Sequence, residues 1–191
     1  MHLVLGLGNP GRRYERTRHN IGFLVADRLT ERWGNPVMKP QLGAEVARVV
    51  LRGHDTVVAK PQSFMNLSGQ PGASLRGFFK VEVPSVIVVH DDLDIPFGEI
   101  RLKLGGGHGG HNGLRDIQAK FGECGFVRLR FGIGRPPPAW QVADYVLAPF
   151  SLLEESQLVA LTDRAVGAVE AVICEGLQAA MNVYNTRPKG D

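Results

Sequence analysis

The pattern of hydrophobic and polar positions changes period repeatedly along the chain, which predicts strands interleaved with helices. Short apolar or alternating runs predict strands at residues 3–5, 45–51, 56–60, 86–89, 100–104 and 126–133. The continuous apolar run at 86–89 is typical of a strand that is covered on both faces of a sheet. In 100–104 and 126–133 apolar and basic residues alternate, which predicts half-exposed strands. A turn near Gly53 joins 45–51 to 56–60 as a hairpin.

Apolar residues at helical spacing predict helices at residues 20–33, 114–121 and 152–183. Gly176 is expected to divide the last segment, and Ser68 is expected to cap a further helix that carries Leu75. This alternation predicts an α/β fold in which a twisted mixed, largely parallel central sheet is surrounded by helices. Residues 1–191 are expected to form a single domain whose C-terminal helices begin at about residue 151.

Ligands of such sheets bind in the loops that follow the carboxyl ends of the strands. The corresponding loops of this chain follow Leu5, Lys60, Val89 and Leu104. These loops hold many of the unusual residues, including the glycine clusters at 6–11 and 105–113 in a chain with 24 Gly and 12 Pro. They are therefore the places where a functional site is expected.

Composition restricts the class of protein. A chain of 191 residues with 43% hydrophobic and 21% charged residues is typical of a soluble globular domain. Its two cysteines, Cys124 and Cys174, are too few for a disulfide framework and favour a reducing compartment. No apolar run approaches the roughly 20 residues of a membrane span, and the N-terminal residues do not resemble a signal peptide. We therefore expect a cytoplasmic protein with no membrane association.

Positive charge is concentrated in the first two thirds of the chain. The formal net charge is +3, from 22 basic and 19 acidic residues. Residues 136–191 carry three basic and seven acidic side chains, which leaves a balance of +7 for residues 1–135. This asymmetry favours a polyanionic partner. Basic side chains on solvated strand faces, with no partner, explain the same charge equally well.

Residues 6–11 match the pattern G-x-G-x-x-G directly after a strand, which by itself suggests a dinucleotide site. However, Pro10 and Gly11 favour a turn over the start of a helix. No acidic residue closes a second strand about 20 residues later, as a nicotinamide-binding fold requires. A dinucleotide-binding function is therefore not favoured.

The loop at residues 105–113 has too many glycines to form a packed element, and it allows a ligand to approach the backbone closely. No Lys-Ser or Lys-Thr pair follows to complete a nucleotide-binding P-loop. His90, Asp91, His108 and His111 could bind a metal ion, although the chain has neither H-E-x-x-H nor a cysteine cluster. A metal-dependent hydrolase remains an alternative.

Polar residues of the loops suggest acid–base chemistry. His19 lies at the start of a predicted helix, where the helix dipole disfavours the protonated imidazole and so favours a general base. Asn9, Asn66 and Asn112 lie in three separate loops. Each is by itself most simply a turn residue, but together such amides can read neutral carbonyl and N–H groups or stabilise an oxyanion.

In combination these motifs closely resemble the bacterial-type peptidyl-tRNA hydrolase family. The resemblance extends from residue 3 to about residue 147, with the motifs in the order of the family. The matching segments are 8–11, Tyr14, 18–22, 64–69, 90–94 and 103–116. Each segment is weak evidence alone, but the combination is highly specific.

The resemblance implies a monomeric enzyme that uses no cofactor and no metal to hydrolyse the ester between a peptide and the 3′ ribose of tRNA. It implies that His19 is the catalytic base, that Asp91 orients it, and that Asn9 helps to tell N-blocked from free aminoacyl-tRNA. The implied substrate contacts are Tyr14, Phe64, Asn66, Asn112, Lys103 and Arg130.

Among these contacts, the resemblance implies that Lys103 and Arg130 grip the 5′ phosphate beside the acceptor stem, while the 3′ end carries the nascent peptide into the site. Either Asn66 or Asn112 could donate to the oxyanion. A tRNA- or ribosome-binding module without catalysis is a further alternative.

Overall fold

The computed structural model describes residues 1–186. Their strands are β1 (His2–Gly6), β2 (Lys39–Gln41), β3 (Ala44–Leu51), β4 (His54–Pro61), β5 (Val86–Asp92), β6 (Ile100–Leu104) and β7 (Val127–Gly132). Their helices are α1 (Ile21–Arg32), α2 (Gly69–Phe79), α3 (Asn112–Phe121), α4 (Val142–Val146), α5 (Leu152–Glu175) and α6 (Leu177–Tyr184). A 3-10 turn, Arg18–Asn20, leads directly into α1.

The strands form one sheet in the order β2-β3-β4-β1-β5-β7-β6. Strands β4, β1, β5 and β7 are parallel to one another, whereas β2–β3, β3–β4 and β6–β7 are antiparallel pairs. The predicted α/β fold with a mixed, largely parallel sheet is thereby confirmed. The predicted hairpin is also present, with a turn at Arg52 and Gly53 between β3 and β4.

Both faces of the sheet are covered by helices. On β5, Ile87 and Val89 pack in the cluster that includes α1 and α5, whereas Val86 and Val88 pack in the cluster that includes α2 and α3. All four side chains are fully buried, and burial of an aliphatic side chain of this size stabilises a fold by roughly 1.5–3 kcal/mol. This two-sided burial is the physical reason for the continuous apolar run.

The start of α1 lies very close to the sheet. A Cβ atom on Gly22 would collide with the backbone of Leu7 and with the carbonyl oxygen of Val89, so only glycine permits this approach. The close packing brings the turn before α1 against the carboxyl ends of β1 and β5. It therefore carries His19 to the edge of the sheet where ligands are expected.

Gly176 ends α5 with φ of +91°, and α6 begins at the next residue, so the predicted break in the C-terminal helical segment is confirmed. Ser68 lies at the predicted N-cap position of α2, but the expected hydrogen bond from the helix to its side chain is absent. The Ser68 hydroxyl donates to the carbonyl oxygen of Met65 at 2.8 Å, and Ser68 already has helical backbone angles. The first amide of α2, at Gly69, donates instead to the Asp116 carboxylate of α3 at 2.7 Å. This tertiary contact is invisible in the local sequence.

The prediction that residues 126–133 form a half-exposed strand is also wrong. Strand β7 lies inside the sheet between β5 and β6, and even Arg128 is buried, at 3% exposure. Strand β6 is the edge strand next to β7, and Lys103 on it is exposed. Strand β2 and helix α4 were not predicted because each is too short to show a period.

The loop after Leu104 does not begin where it was expected. Because β6 is antiparallel to β7, Leu104 pairs with Val127 at the edge opposite to the carboxyl ends of the parallel strands. The glycine-rich loop that follows returns across the sheet before α3 begins. No helix in the part of the chain that the structure describes combines the length and the apolar character needed to cross a bilayer.

Candidate active site

Two groups far apart in sequence meet at the carboxyl edge of the sheet. His19 comes from the turn before α1, and Asp91 is the sixth residue of β5. The Nδ1 atom of His19 lies 2.9 Å from each carboxylate oxygen of Asp91. Asp91 is almost completely buried, while the His19 side chain keeps 12% of its surface exposed. The arrangement fixes the ring and leaves its other nitrogen, Nε2, on the accessible side.

A second imidazole, which the sequence analysis placed only among candidate metal ligands, binds the same carboxylate. The Nε2 atom of His111 lies 3.0 Å from Oδ1 of Asp91. Its Nδ1 atom accepts hydrogen bonds from the backbone amides of Gly113 and Leu114 at 3.2 and 3.3 Å, so His111 caps α3. A nitrogen that accepts two N–H groups carries no proton, so Nε2 holds the proton and donates it to Asp91.

The sequence feature that could have revealed this role of His111 is the start of α3. The helix begins at Asn112 and not at residue 114, which makes His111 its N-cap. Histidine is an unusual N-cap residue. Because the amides of the first helical turn bind its Nδ1 atom, the start of the helix orients the His111 ring without any ligand.

The charges of these groups are strongly coupled. Burial alone would raise the pKa of Asp91, but the neighbouring His19 and His111 outweigh it and hold the pKa of the carboxyl below its usual range. Burial alone would lower the pKa of His19, but the charge and hydrogen bond of Asp91 outweigh it and raise that pKa. The expectation that the helix start would favour the neutral imidazole is therefore wrong in its net direction, because the adjacent carboxylate dominates.

His90 lies behind this cluster. It is buried, and its Nδ1 atom donates to the backbone carbonyl of Asp91 at 2.7 Å. Burial, reinforced by His111, lowers the pKa of His90 to about 3. His90 is thus a neutral imidazole at physiological pH.

The side chains considered as metal ligands in the sequence are not arranged as one metal site. His19, Asp91 and His111 do offer ligand atoms within 4.8 Å of one another, but Nε2 of His111 holds a proton in this arrangement. His90 uses Nδ1 for a backbone bond, and His108 accepts from the amide of Gly110 at 3.0 Å. The four residues that the sequence suggested therefore do not converge on one ion.

A second polar cluster adjoins the first through Asn20, whose role is not apparent from the sequence. Its side chain accepts from the amide of Asn9 at 2.8 Å and donates to the carbonyl of Asn9 at 2.9 Å. Asn9 in turn accepts the backbone amide of Met65 on Oδ1 at 2.7 Å. Because Oδ1 is occupied, the Asn9 side-chain NH2 group is directed to the open side as a donor.

Several of the predicted site residues line a cleft of about 540 Å³. They are His19, Asp91, Asn112, Lys103 and Arg130. Asn9, Tyr14, Phe64 and Asn66 are not in that wall and belong to a neighbouring surface, where the rings of Tyr14 and Phe64 meet at right angles with centroids 6.5 Å apart. A more open groove of about 660 Å³ between α1 and α5 contains none of the predicted residues.

The two predicted phosphate contacts differ in their surroundings. Lys103 is exposed on the edge strand, and no carboxylate of residues 1–186 lies within ion-pair distance of it. Arg130 donates from Nε to the Asp92 carboxylate at 2.9 Å, which partly neutralises its charge. The cleft therefore has a positive rim on which Lys103 is the more available cation.

Comparison with known proteins agrees with the motifs. A family model described as peptidyl-tRNA hydrolase matches residues 3–191, which extends beyond the segment that showed the resemblance in sequence. Among curated proteins, the peptidyl-tRNA hydrolase of Nocardia farcinica is 51% identical over 181 residues, covering 94% of both chains. That of Frankia casuarinae is 51% identical over 183 residues, covering 96% of this chain and 93% of its own.

Solved structures show the same similarity in three dimensions. The crystal structure of peptidyl-tRNA hydrolase from Acinetobacter baumannii superposes with a TM-score of 0.92 at 36% sequence identity. The superposition covers 100% of this chain and 97% of that one. The similarity to peptidyl-tRNA hydrolases, in sequence and in fold, therefore extends over nearly the whole chain.

Proposed function

Because the chain belongs to the peptidyl-tRNA hydrolase family, we propose that the cleft around His19 and Asp91 is where it hydrolyses the ester between a peptide and the 3′ ribose of tRNA. The chain is an enzyme of this family, and the proposal concerns the residues that perform the reaction. The bond from His19 Nδ1 to both oxygens of Asp91 carries the assignment. The metal-dependent and non-catalytic alternatives are not favoured.

The reaction starts at the exposed nitrogen of His19. With Nδ1–H donated to the ionised Asp91, the neutral ring presents an unprotonated Nε2 to the cleft and takes a proton from the attacking water. Asp91 fixes this tautomer and stabilises the imidazolium that forms, as the acid does in a Ser-His-Asp triad. The low pKa of Asp91 keeps it ionised throughout. An ester is activated enough for a positioned water, a base and an oxyanion donor to suffice.

Asn112 is the better placed of the two amides considered for the oxyanion. It lies in the wall of the same cleft as His19, whereas Asn66 lies outside that wall. Asn112 is the first residue of α3, directly after the cap that His111 provides. A single preorganised donor of this kind typically contributes about 3 kcal/mol to transition-state stabilisation.

Asn9 distinguishes blocked from free amino groups. Its buried amide, held by Asn20 and Met65, offers hydrogen bonds to neutral groups only. A substrate with a free α-ammonium group would bring a charge into this environment, where loss of hydration disfavours it. Tyr14, Phe64 and Asn66 border the same surface and contact the peptide.

The positive rim holds the tRNA. Lys103 and Arg130 contact phosphate, with Lys103 the stronger contact because Asp92 restrains Arg130. Contacts to phosphate do not depend on base sequence, which suits an enzyme that accepts many tRNAs. The acceptor stem with its 5′ phosphate lies on the rim while the 3′ end enters the cleft. The enzyme acts as a cytoplasmic monomer, by analogy with the family.

One experiment tests this assignment. N-acetylaminoacyl-tRNA and free aminoacyl-tRNA are incubated in parallel with the enzyme in the presence of a chelator. Only the acetylated ester should be cleaved, and His19→Ala should abolish cleavage while tRNA binding stays nearly intact. Loss of activity that a divalent ion restores would instead support a metal-dependent hydrolase, and tight tRNA binding without cleavage would support a binding module.

A further inference from the structure

A buried guanidinium lies beneath the glycine-rich loop. Arg128, the second residue of β7, is 3% exposed, and no carboxylate among residues 1–186 lies within ion-pair distance of it. Loss of hydration lowers its pKa, which shows that its environment disfavours the charge. Because a buried charge without a counter-ion is costly, its hydrogen-bond partners show what it is placed to hold.

Those partners are carbonyl groups of the glycine-rich loop. Arg128 donates from Nη1 to the oxygen of Gly107 at 2.5 Å and from Nη2 to the oxygen of Gly106. The side chain of Gln118 on α3 donates to the same Gly106 oxygen at 2.7 Å. Gly106 has φ of +96°, a backbone conformation that residues with a Cβ rarely adopt. The backbone conformation of the loop thus directs the carbonyl groups of Gly106 and Gly107 to the guanidinium group of Arg128.

The far end of this loop enters the site of hydrolysis. The remainder of the loop, at Gly107, Gly109 and Gly110, is exposed. The loop ends at His111, which donates to Asp91, and continues into Asn112 in the wall of the cleft. Without an anchor, a run of exposed glycines would leave both side chains poorly placed, because glycine backbone is conformationally permissive.

We propose that Arg128 is a positioning residue for hydrolysis, which clamps the loop and thereby sets His111 on Asp91 and Asn112 in the cleft. The inference rests on the proposed site of hydrolysis. Arg128 lies at the base of the cleft wall, but both of its Nη groups donate to carbonyl oxygens of the loop and its Nε atom is buried, so it acts through the loop. Lysine cannot replace it, because an ammonium does not form the two parallel bonds of a guanidinium fork.

The test compares Arg128→Lys with wild type and with Arg48→Lys, the same substitution at an exposed arginine of β3 that is distant from the cleft. We expect kcat to fall about 10- to 100-fold for Arg128→Lys, as displacement of a catalytic group by about 1 Å does. KM for peptidyl-tRNA should change by less than about threefold. The control should retain wild-type kcat.

Hydrogen exchange of the full-length protein separates positioning from general stability. In Arg128→Lys, faster amide exchange should be confined to residues 105–113. Gln118→Ala, which removes the second donor to Gly106, should change exchange and kcat in the same direction by a smaller factor. Faster exchange throughout β5 and β7, or kcat within about twofold of wild type, would overturn the proposal.

A combined variant tests whether the effect passes through His111 and Asn112. If Arg128 acts by placing these two side chains, adding Arg128→Lys to a variant with both His111→Ala and Asn112→Ala should reduce kcat by less than about threefold further. Fully multiplicative losses would show that Arg128 acts elsewhere. The exchange measurement does not use the substrate, so the clamp and the proposed site of hydrolysis can fail independently of each other.

Discussion

At the scale of single residues, hydrogen-bond partners decide which nitrogen and oxygen atoms of the site carry protons. The amides at the start of α3 occupy Nδ1 of His111, so its Nε2–H is directed to Asp91. Asp91 then accepts from two imidazoles, and its buried negative charge raises the pKa of His19. The orientation and the pKa of His19, the proposed base, are therefore set by residues that are distant from it in sequence.

Asp91→Asn should remove both the acceptor that orients the His19 ring and the charge that raises its pKa, without a change in side-chain size. An amide that donates to Nδ1 of His19 would move the ring proton to Nε2, so kcat should fall by about 10³- to 10⁴-fold. The pKa of His19 should drop, because burial would no longer be opposed by the carboxylate. The pH dependence of kcat/KM and the NMR titration of His19 check this. An unchanged acidic limb would show that another group is the base.

Asn112→Ala and Asn66→Ala separate the two amides proposed for the oxyanion. Loss of an oxyanion donor costs about 10²- to 10³-fold in kcat, and we expect this for Asn112, which lies in the wall of the cleft. Asn66→Ala should act mainly on KM, since Asn66 lies outside that wall. Steady-state kinetics with N-acetylaminoacyl-tRNA distinguish the variants. The reverse pattern would assign the oxyanion to Asn66.

At the scale of secondary-structure elements, the first turn of α5 supports the turn that carries His19. Ser151 accepts the amide of Glu154 at 3.2 Å, and the Glu154 carboxylate accepts the amide of Ser151 at 2.7 Å. Glu154 also pairs with Arg18 at 2.7 Å, and Arg18 lies immediately before His19. The cap of α5 and the turn that carries His19 therefore share one carboxylate.

Glu154→Ala should destabilise the fold by about 1–3 kcal/mol, because it removes one of the two cap hydrogen bonds and leaves the guanidinium of Arg18 with carbonyl acceptors only. Glu155→Ala is the matched control. Its partner Arg16 is 77% exposed, so this pair should contribute no more than about 1 kcal/mol. Urea unfolding of both variants measures the difference. Equal losses would show that the shared carboxylate has no special role in stability.

At the scale of the whole molecule, burial sets how stability responds to acid. The pKa of His90 is about 3 in the folded state, against about 6.5 in an unfolded chain. Below pH 6.5 the unfolded chain therefore takes up a proton that the folded protein refuses, and stability falls as the pH drops toward 3. His19 acts in the opposite sense: its raised pKa adds stability below pH 6.5, which is lost as the pH rises through the folded value.

His90→Asn should isolate the first contribution. An asparagine side chain can still donate to the carbonyl oxygen of Asp91, but it does not titrate. We expect the variant to lose less stability than wild type between pH 7 and pH 4, as measured by urea unfolding at several pH values. Parallel pH profiles for the two proteins would show that His90 is not protonated on unfolding.

The charge asymmetry of the whole chain should appear in the salt dependence of tRNA binding. Lys103→Ala should lower the slope of log K against log salt by roughly one unit and weaken different tRNAs equally. Arg130→Ala should lower the slope less, because Asp92 already neutralises part of its charge. Arg48→Ala, on the distant strand β3, should leave the slope unchanged. An unaltered slope for Lys103→Ala would remove it from the phosphate contacts.

Local patterns were sufficient for much of the architecture. The apolar run in β5 and the helical period in α1 and α5 predicted those elements, because burial on one or two faces leaves a direct trace in neighbouring residues. The motif order likewise indicated the family and named His19 and Asp91 before their contact was known. The short elements β2 and α4 left no such trace.

Contacts between distant segments determined the rest. The burial of Arg128, the cap that Asp116 provides for α2, and the place of His111 on Asp91 each depend on how the sheet is ordered and how the glycine-rich loop returns across it. Desolvation and hydrogen bonding depend on neighbours in space. The pKa of His19 and the tautomer of His111 therefore follow from the folded structure, and the pattern of apolar and polar residues along the chain does not predict them.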